Sequence, residues 1–383
     1  MPPVLIDVTR LLYRRMSAQL PTGIDRVSLA YVRHYAARAR AALGWRGLSA
    51  ALSRPDSERV FSALLEPGPD IAAAARRAIA QACLAGFAAP RLSDHFLVNT
   101  AHYGLDHRWY AGLLRVLGAR PVVVVHDLIP ITHPQYCRAA EPARHVARMR
   151  NALSMARGII CNSRYTLETL TAFAAGARLA MPPALVAPLA SALPRSTPAP
   201  RPLADPYFVS VGTIEPRKNH HVLLEAWRGL AAQLGARTPK LVLVGQRSWD
   251  CAQVIEAIGR PPLAGHVIEA GVCSDAELAA WLQHAQALLM PSWIEGYGLP
   301  VAEALAAGVP VIASDLAVFR EIAGAIPEYA DPARSSSWLE LVRRYAEPQS
   351  ERRRAQVLRL GGFRPSTWQQ HFTAVDAFLE SLA

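Results

Sequence analysis

Lysine is nearly missing: of 41 basic residues two are Lys and the rest Arg. Cysteine is scarce too. The five cysteines, at 83, 137, 161, 251 and 273, lie far apart, with no Cys-x-x-Cys pair and no histidine at zinc-binding spacing. That excludes a disulfide framework and a zinc ribbon, and a reducing cytoplasm is expected. No run of 18 consecutive apolar residues occurs, so no membrane-spanning helix is expected. The opening MPPVLIDVTRLLYRR reaches an apolar strand without a basic leader or cleavage site, which argues against secretion. Charge is also sparse, at 19% of residues against 51% hydrophobic, which excludes a wholly disordered chain. With 383 residues, and roughly 100–200 per domain, two domains are expected.

What charge there is lies unevenly. Residues 1–200 hold 24 Arg against 11 Asp and Glu, a net of +13, and residues 201–383 hold 17 basic against 19 acidic, a net of −2. A basic half suits a nucleic acid, an anionic membrane face or a phosphorylated substrate, and equally an arginine-rich solvated surface. A nucleic-acid binder, the rival from another functional class, has only this charge in its favour, because interleaved aromatics and any recognisable binding module are lacking.

Short apolar runs alternate with longer helical patterns. VLIDV (4–8), FLVN (96–99), PVVVVHD (121–127), GIICN (158–162) and ALVAP (184–188) read as buried parallel strands, with helices over 24–40, 70–85, 104–117, 141–157 and 163–175. Residues 188–206 then carry six prolines and read as a linker. A second series follows: YFVSVG (207–212), KLVLVG (240–245), HVIEA (266–270), QALLMPS (286–292), VPVIAS (309–314) and IPEYA (326–330). The pattern predicts two doubly wound α/β domains, 1–190 and 207–363, joined by a linker at 191–206. An amphipathic helix over 364–382 is expected to start at a cap on Ser366 or Thr367.

In open α/β sheets ligands bind beyond the carboxyl ends of the strands, so the residues after each strand carry the chemistry. Three places stand out. After YFVSVG, which ends at Gly212, Glu215-Pro216-Arg217-Lys218-Asn219 sets two adjacent cations where a helix begins; they suit a diphosphate. Cations at a helix N-terminus oppose its dipole, so an anionic partner is expected; the plain alternative is an exposed basic pair. After QALLM, PSWIEGYGLPVAEAL carries Gly296 and Gly298, which permit close backbone approach ahead of a helix N-terminus. It also carries Glu295 and Glu303, two carboxylates able to accept hydrogen bonds from sugar or ribose hydroxyls. In the first half, His126-Asp127 follows PVVVV and Gly23 opens the first helix. His126 can face a reacting centre and Gly23 can leave room for a phosphate, although a lone His after a strand is more often structural.

Together EPRKN, the Glu295-x7-Glu303 spacing inside EGYGLPVAEALAAGVPVIASD, and HDLIP at 126–130 resemble the family-4 retaining glycosyltransferases of the GT-B fold, the glycosyl transferases group 1. The likeness is strong over the second domain and extends to TGIDRV, HDLIPITHP and CNSRYT in the first. It implies two Rossmann-like domains facing a central cleft, with the C-terminal helix 364–383 completing the first. It further implies that Arg217 and Lys218 bind the donor diphosphate, with Gly212 beside them. Glu303 would hold the ribose, Glu295 the transferred sugar, and Gly296, Tyr297, Gly298 and Leu299 would offer backbone N–H groups. His126 would lie near the anomeric carbon, and Gly23 would form the phosphate-side loop of the first domain. Many relatives carry two adjacent glycines where this chain has Thr22-Gly23.

Within this resemblance the motifs are most similar to bacterial mannosyl- and rhamnosyltransferases that assemble surface polysaccharide on a polyprenyl diphosphate. The implied donor is GDP-mannose, with dTDP-rhamnose or a UDP-sugar as alternatives, and a nucleotide-sugar epimerase is a further possibility on the same fold. No cofactor beyond the donor and no metal are expected, since the chain offers no Asp-x-Asp motif and no His, Asp and Cys cluster at ligand spacing. The expected partners are the nucleotide sugar and a lipid-diphosphate-linked saccharide, with no nucleic acid, at the cytoplasmic face of an anionic membrane. The stretch 141–157 sets Arg144 and Arg148 four apart on one face, with Val146, Met149, Leu153 and Ala156 on another. Such a helix suits either a bilayer surface or the domain interior, packing being the commoner case.

Overall fold

A strand that is apolar on both faces is stable only between two helical layers, and the apolar runs accordingly become the parallel strands of two sheets. The structure, a computed structural model, describes residues 2–17, 21–45, 48–66, 73–77, 80, 92–191 and 199–383. By their contacts residues 1–189 with 367–383 form one compact unit and 190–366 another. The first holds β1 (Val4–Asp7), β2 (Arg40–Trp45), β3 (Leu48–Ala51), β4 (Phe96–Asn99), β5 (Arg120–Val125), β6 (Gly158–Cys161) and β7 (Ala184–Val186), in the order β3-β2-β1-β4-β5-β6-β7. Every neighbouring pair is parallel except β2 with β3. The second holds β8 (Tyr207–Val211), β9 (Lys240–Val244), β10 (Val267–Gly271), β11 (Leu288–Met290), β12 (Val311–Ser314) and β13 (Glu328–Ala330), all parallel, in the order β10-β9-β8-β11-β12-β13. Strand order reverses between β1 and β4 and between β8 and β11, and the connections diverge there to opposite faces, opening a crevice at the carboxyl edge.

Several local expectations change. The helix read over 24–40 ends at Tyr35, and residues 40–45 form β2 instead, paired with β1 on one side and with β3 on the other. The Ala- and Gly-containing RAALGW and LSAA have little intrinsic strand preference, so pairing decides their conformation, β2 on β1 and β3 on β2. Two short helices, Thr9–Met16 and Arg54–Leu65, escaped the periodicity reading. Of the helix read over 70–85, residues 73–77 are helical and most of the rest lie outside the described residues, as do 192–198 of the proline-rich stretch. The basic helix Glu141–Met155 buries Met149, Ala152 and Leu153 in the core of the first unit. Its Arg144, which is exposed, and Arg148, which is largely buried, both donate to Asp106, at 2.9 and 3.3 Å. Among the described residues no helix is long and apolar enough to cross a membrane.

The final helix, Trp368–Leu382, starts on a reciprocal cap: Thr367 Oγ1 accepts from the Gln370 N–H (3.2 Å) while Gln370 Oε1 accepts from the Thr367 N–H (3.0 Å). It buries Phe372, Val375, Leu379 and Leu382 against the first unit. Asp376 fastens it, accepting from Tyr35 Oη (2.7 Å) and Arg38 Nη2 (2.9 Å) and pairing with His34 Nε2 (3.0 Å). The fit is tight enough that a Cβ on Gly158, at the start of β6, would lie 2.5 Å from Leu382 Cδ1. Removing a hydrogen-bonded carboxylate leaves its buried partners unpaired. Asp376→Ala is therefore expected to cost about 2 kcal/mol, lowering the unfolding midpoint of the first unit by roughly 4–8 °C in calorimetry. An unchanged midpoint would show that apolar packing alone docks the helix.

Candidate functional site

The polypeptide leaves β8 at Gly212 and crosses to the helix His220–Leu234 through a single 3-10 turn, Pro216–Lys218, not through the helix start read from the sequence. Asn219 ends that turn in the left-handed region (φ 53°), which Asn tolerates better than most residues because its short amide bonds locally. Here the amide reaches further: Asn219 Nδ2 donates to the carbonyls of Pro291 (3.1 Å) and Pro332 (2.8 Å), tying the loop after β8 to those after β11 and β13. The Trp293 N–H adds a backbone bond to the Arg217 carbonyl (2.9 Å). The loops after β8 and β11 flank the reversal of strand order in the second sheet.

Arg217, Lys218 and Glu295 meet at this point. Lys218 Nζ lies 2.6 Å from Glu295 Oε1, which also accepts from Ser292 Oγ (2.7 Å), and Arg217 Nη1 donates to Glu295 Oε2 (2.9 Å). Arg217 Nε pairs in addition with Glu215 (2.7 Å). The basic pair is thus not the exposed one of the plain alternative: Lys218 is 8% and Glu295 6% exposed. Burial alone would push the Glu295 carboxyl up; the two cations and the hydroxyl overcome it and hold it at about 2, against an ordinary 4.5. A carboxylate depressed in this way adds stability at neutral pH that is lost as pH falls from 4.5 through about 2. Burial draws Lys218 below its ordinary value and Glu295 counteracts it, while His220 next door, buried beside Lys218, is pushed down to about 3 and is neutral.

Gly212 borders the pair directly, since a Cβ there would lie 3.0 Å from Lys218 Cε. Beyond Glu295 the loop runs through Gly296 and Tyr297 to Gly298, which caps the helix Leu299–Ala306 at φ 99°. A side chain at Gly298 would meet both the left-handed strain and the ring of Phe319, 2.4 Å from the Cβ position, so only glycine fits. Glu303 lies inside that helix and is buried at 2% exposure. The structure therefore brings Arg217, Lys218, Gly212 and Glu295 together and puts Gly296, Tyr297, Gly298, Leu299 and Glu303 on the continuous segment that follows. Two groups escaped the sequence reading, Asn219 and Ser292, although both stand inside the strings that drew attention, EPRKN and PSWIEGYG.

In the first unit, His126 follows β5 directly and is buried, its Nε2 donating to the Thr100 carbonyl at 2.7 Å, just beyond β4. Burial lowers its basicity, so the imidazole is neutral with the proton on Nε2. Its own carbonyl is clamped by Asn162 Nδ2 (2.9 Å) and Thr166 Oγ1 (3.3 Å), and its N–H donates to His102 Nε2 (3.3 Å). Gly23 is the first residue of the helix Gly23–Tyr35 and is exposed. The turn before it is held by Asp25, whose Oδ2 accepts from Thr22 N and Oγ1 (2.7 Å each) and which pairs with Arg10 (2.9 Å) and Arg14 (2.8 Å).

Residues 197–355 match the family model described as glycosyl transferases group 1. The chain is 29% identical over 267 residues to the serotype-specific mannosyltransferase WbdA of Escherichia coli, covering 62% of this chain and 32% of that protein. It is 35% identical over 126 residues to the O-antigen chain mannosyltransferase B of Escherichia coli, covering 33% of each. The chain thus spans about one third of the length of these relatives. Among solved structures, Anabaena Alr3699/HepE in complex with UDP and glucose superposes over 100% of both chains with a TM-score of 0.70 at 15% identity, a likeness of fold. Residues 197–355 are thus similar to the glycosyl transferases group 1, and the two parallel sheets are those of the GT-B fold.

Proposed function

We propose that the protein is a retaining glycosyltransferase that moves mannose from GDP-mannose to a hydroxyl of a lipid-linked or oligosaccharide acceptor during surface polysaccharide assembly. The observation that carries this reading is the Arg217–Glu295–Lys218 cluster, with Lys218 and Glu295 buried, at the strand-order reversal of the second sheet, inside the segment that matches the family. The mannosyl donor is supported by the names of the relatives, both mannosyltransferases. A UDP-sugar is the second reading, favoured by the UDP bound to the structural neighbour. The +13 charge of residues 1–200 supports an acceptor presented on an anionic membrane face.

In this reading the two cations stabilise the charge that grows on the departing diphosphate as the glycosidic bond breaks, so no divalent cation is required. The carboxylate of Glu295 keeps them charged and aimed, and its remaining acceptor capacity serves hydroxyls of the transferred sugar. Glu303 takes the ribose. No carboxylate is assigned as a covalent nucleophile; retention follows from front-face attack, in which the departing phosphate oxygen accepts the proton of the acceptor hydroxyl.

Lys218→Ala is expected to remove about 2–4 kcal/mol of transition-state stabilisation, a loss of roughly thirty- to a thousandfold in kcat/KM, with folding retained by circular dichroism. Near-wild-type kcat/KM would refute the diphosphate assignment. The two glutamates are separable by titration calorimetry with GDP. Glu303→Ala is expected to weaken GDP, whereas Glu295→Gln takes the carboxylate from Lys218, leaves Arg217 its pair with Glu215, and keeps GDP affinity at or above wild type while transfer falls. Equal loss of GDP binding in both variants would overturn the division of roles.

A further inference from the structure

At the strand-order reversal of the first sheet, two aromatic rings stand side by side with no part in the mechanism above. Tyr13 lies on the helix Thr9–Met16 that follows β1, and Tyr103 lies on the loop that follows β4. Their rings are near-parallel (26°) with centroids 6.3 Å apart. Tyr13 is 41% exposed although its neighbours Leu11 and Leu12 are buried, and Tyr103 is partly exposed.

The loop that carries Tyr103 is fixed far more firmly than a surface connection requires. Buried Asn99 donates from Nδ2 to the Tyr103 carbonyl (3.1 Å) and to Asp7 Oδ2 (3.2 Å). His102 is held in the left-handed region (φ 57°), its ring accepting the His126 N–H, and Asn151 Nδ2 donates to the Leu105 carbonyl (2.6 Å). Arg144 and Arg148 both bind Asp106. A strained non-glycine residue persists only where its surroundings over-determine it, and such positions gather at ligand sites. What this framework presents is the ring of Tyr103 beside that of Tyr13.

We infer that Tyr13 and Tyr103 form a stacking platform for a pyranose ring of the acceptor saccharide, an assignment that rests on the glycosyl-transfer reading above. The face of a phenol ring is electronegative, and the C–H groups on one side of a pyranose, polarised by the neighbouring oxygens, complement it. The nearby guanidiniums are already engaged by carboxylates: Arg144 and Arg148 by Asp106 and Glu141, and Arg10 and Arg14 by Asp25. A neutral, hydroxyl-rich ring fits a surface of aromatic faces and compensated charges.

The test uses the full chain with Tyr13→Ala, Tyr13→Phe, Tyr103→Ala and Tyr103→Phe, linear mannotriose as acceptor probe and GDP-mannose as donor. Each Ala variant is expected to raise the acceptor KM about tenfold with kcat little changed, and each Phe variant to keep the wild-type value, since the face and not the hydroxyl binds. GDP affinity by calorimetry and the melting temperature are expected to stay at wild type. An unchanged KM in the Ala variants, Phe variants as impaired as Ala, or loss of GDP binding, which would make the rings a nucleobase site, each overturns the platform. Should no transfer occur, ligand-observed NMR separates the two readings. Mannotriose binding to wild type that is lost in Tyr13→Ala supports the platform without the donor reading; no difference between the two proteins overturns it.

Discussion

A carboxylate cannot be taken out of water without compensation, and the second unit is organised around meeting that demand at Glu295. Lys218, Arg217 and Ser292 supply it, but they belong to loops that follow different strands, so those loops must be held in register. Asn219 does so by adopting a left-handed conformation and donating to two proline carbonyls. Gly298 follows for a related reason: the segment that delivers Glu295 must turn into its helix directly against Phe319. Geometry that begins as a solvation problem ends as a rigid cationic corner at the strand-order reversal.

The same corner suits chemistry on a diphosphate. Two cations next to one buried carboxylate are charged before any ligand arrives, so little reorganisation is required when negative charge develops. Neutral His220 alongside adds no competing charge. In the first unit the matching edge is built differently, from neutral imidazoles and amides. His126 spends its Nε2 proton on a backbone carbonyl, and His102, held well below its ordinary basicity by burial and by His126 and His145 beside it, is neutral as well. One edge therefore concentrates charge while the other concentrates directional, uncharged hydrogen bonds.

Arginine takes a role that the composition did not announce, bracing the fold through ion pairs. Arg144 and Arg148, four apart on a helix, resemble a cationic face when read along the chain, yet both turn to Asp106 and brace a loop. Arg38 does the same for the terminal helix through Asp376. A formal excess of positive charge says nothing of where each guanidinium finds its carboxylate, because that depends on residues up to several hundred positions away.

All strands but β2 and β3 were legible as short, largely apolar runs, most plainly the central ones, since burial on both faces imposes a composition that survives in one dimension. So were Arg217, Lys218, Glu295 and Glu303, through their spacing in two short strings. β2 and β3 were not, because such Ala-containing segments carry no strand signal of their own and become strands only by pairing, β2 with β1 and β3 with β2. Nor was the bond between Lys218 and Glu295 legible. The sequence by itself determined which residue types stand after which strand; only the tertiary structure decided that cation and carboxylate, 77 positions apart, neutralise each other, because parallel β8 and β11 are neighbours in space and not in sequence.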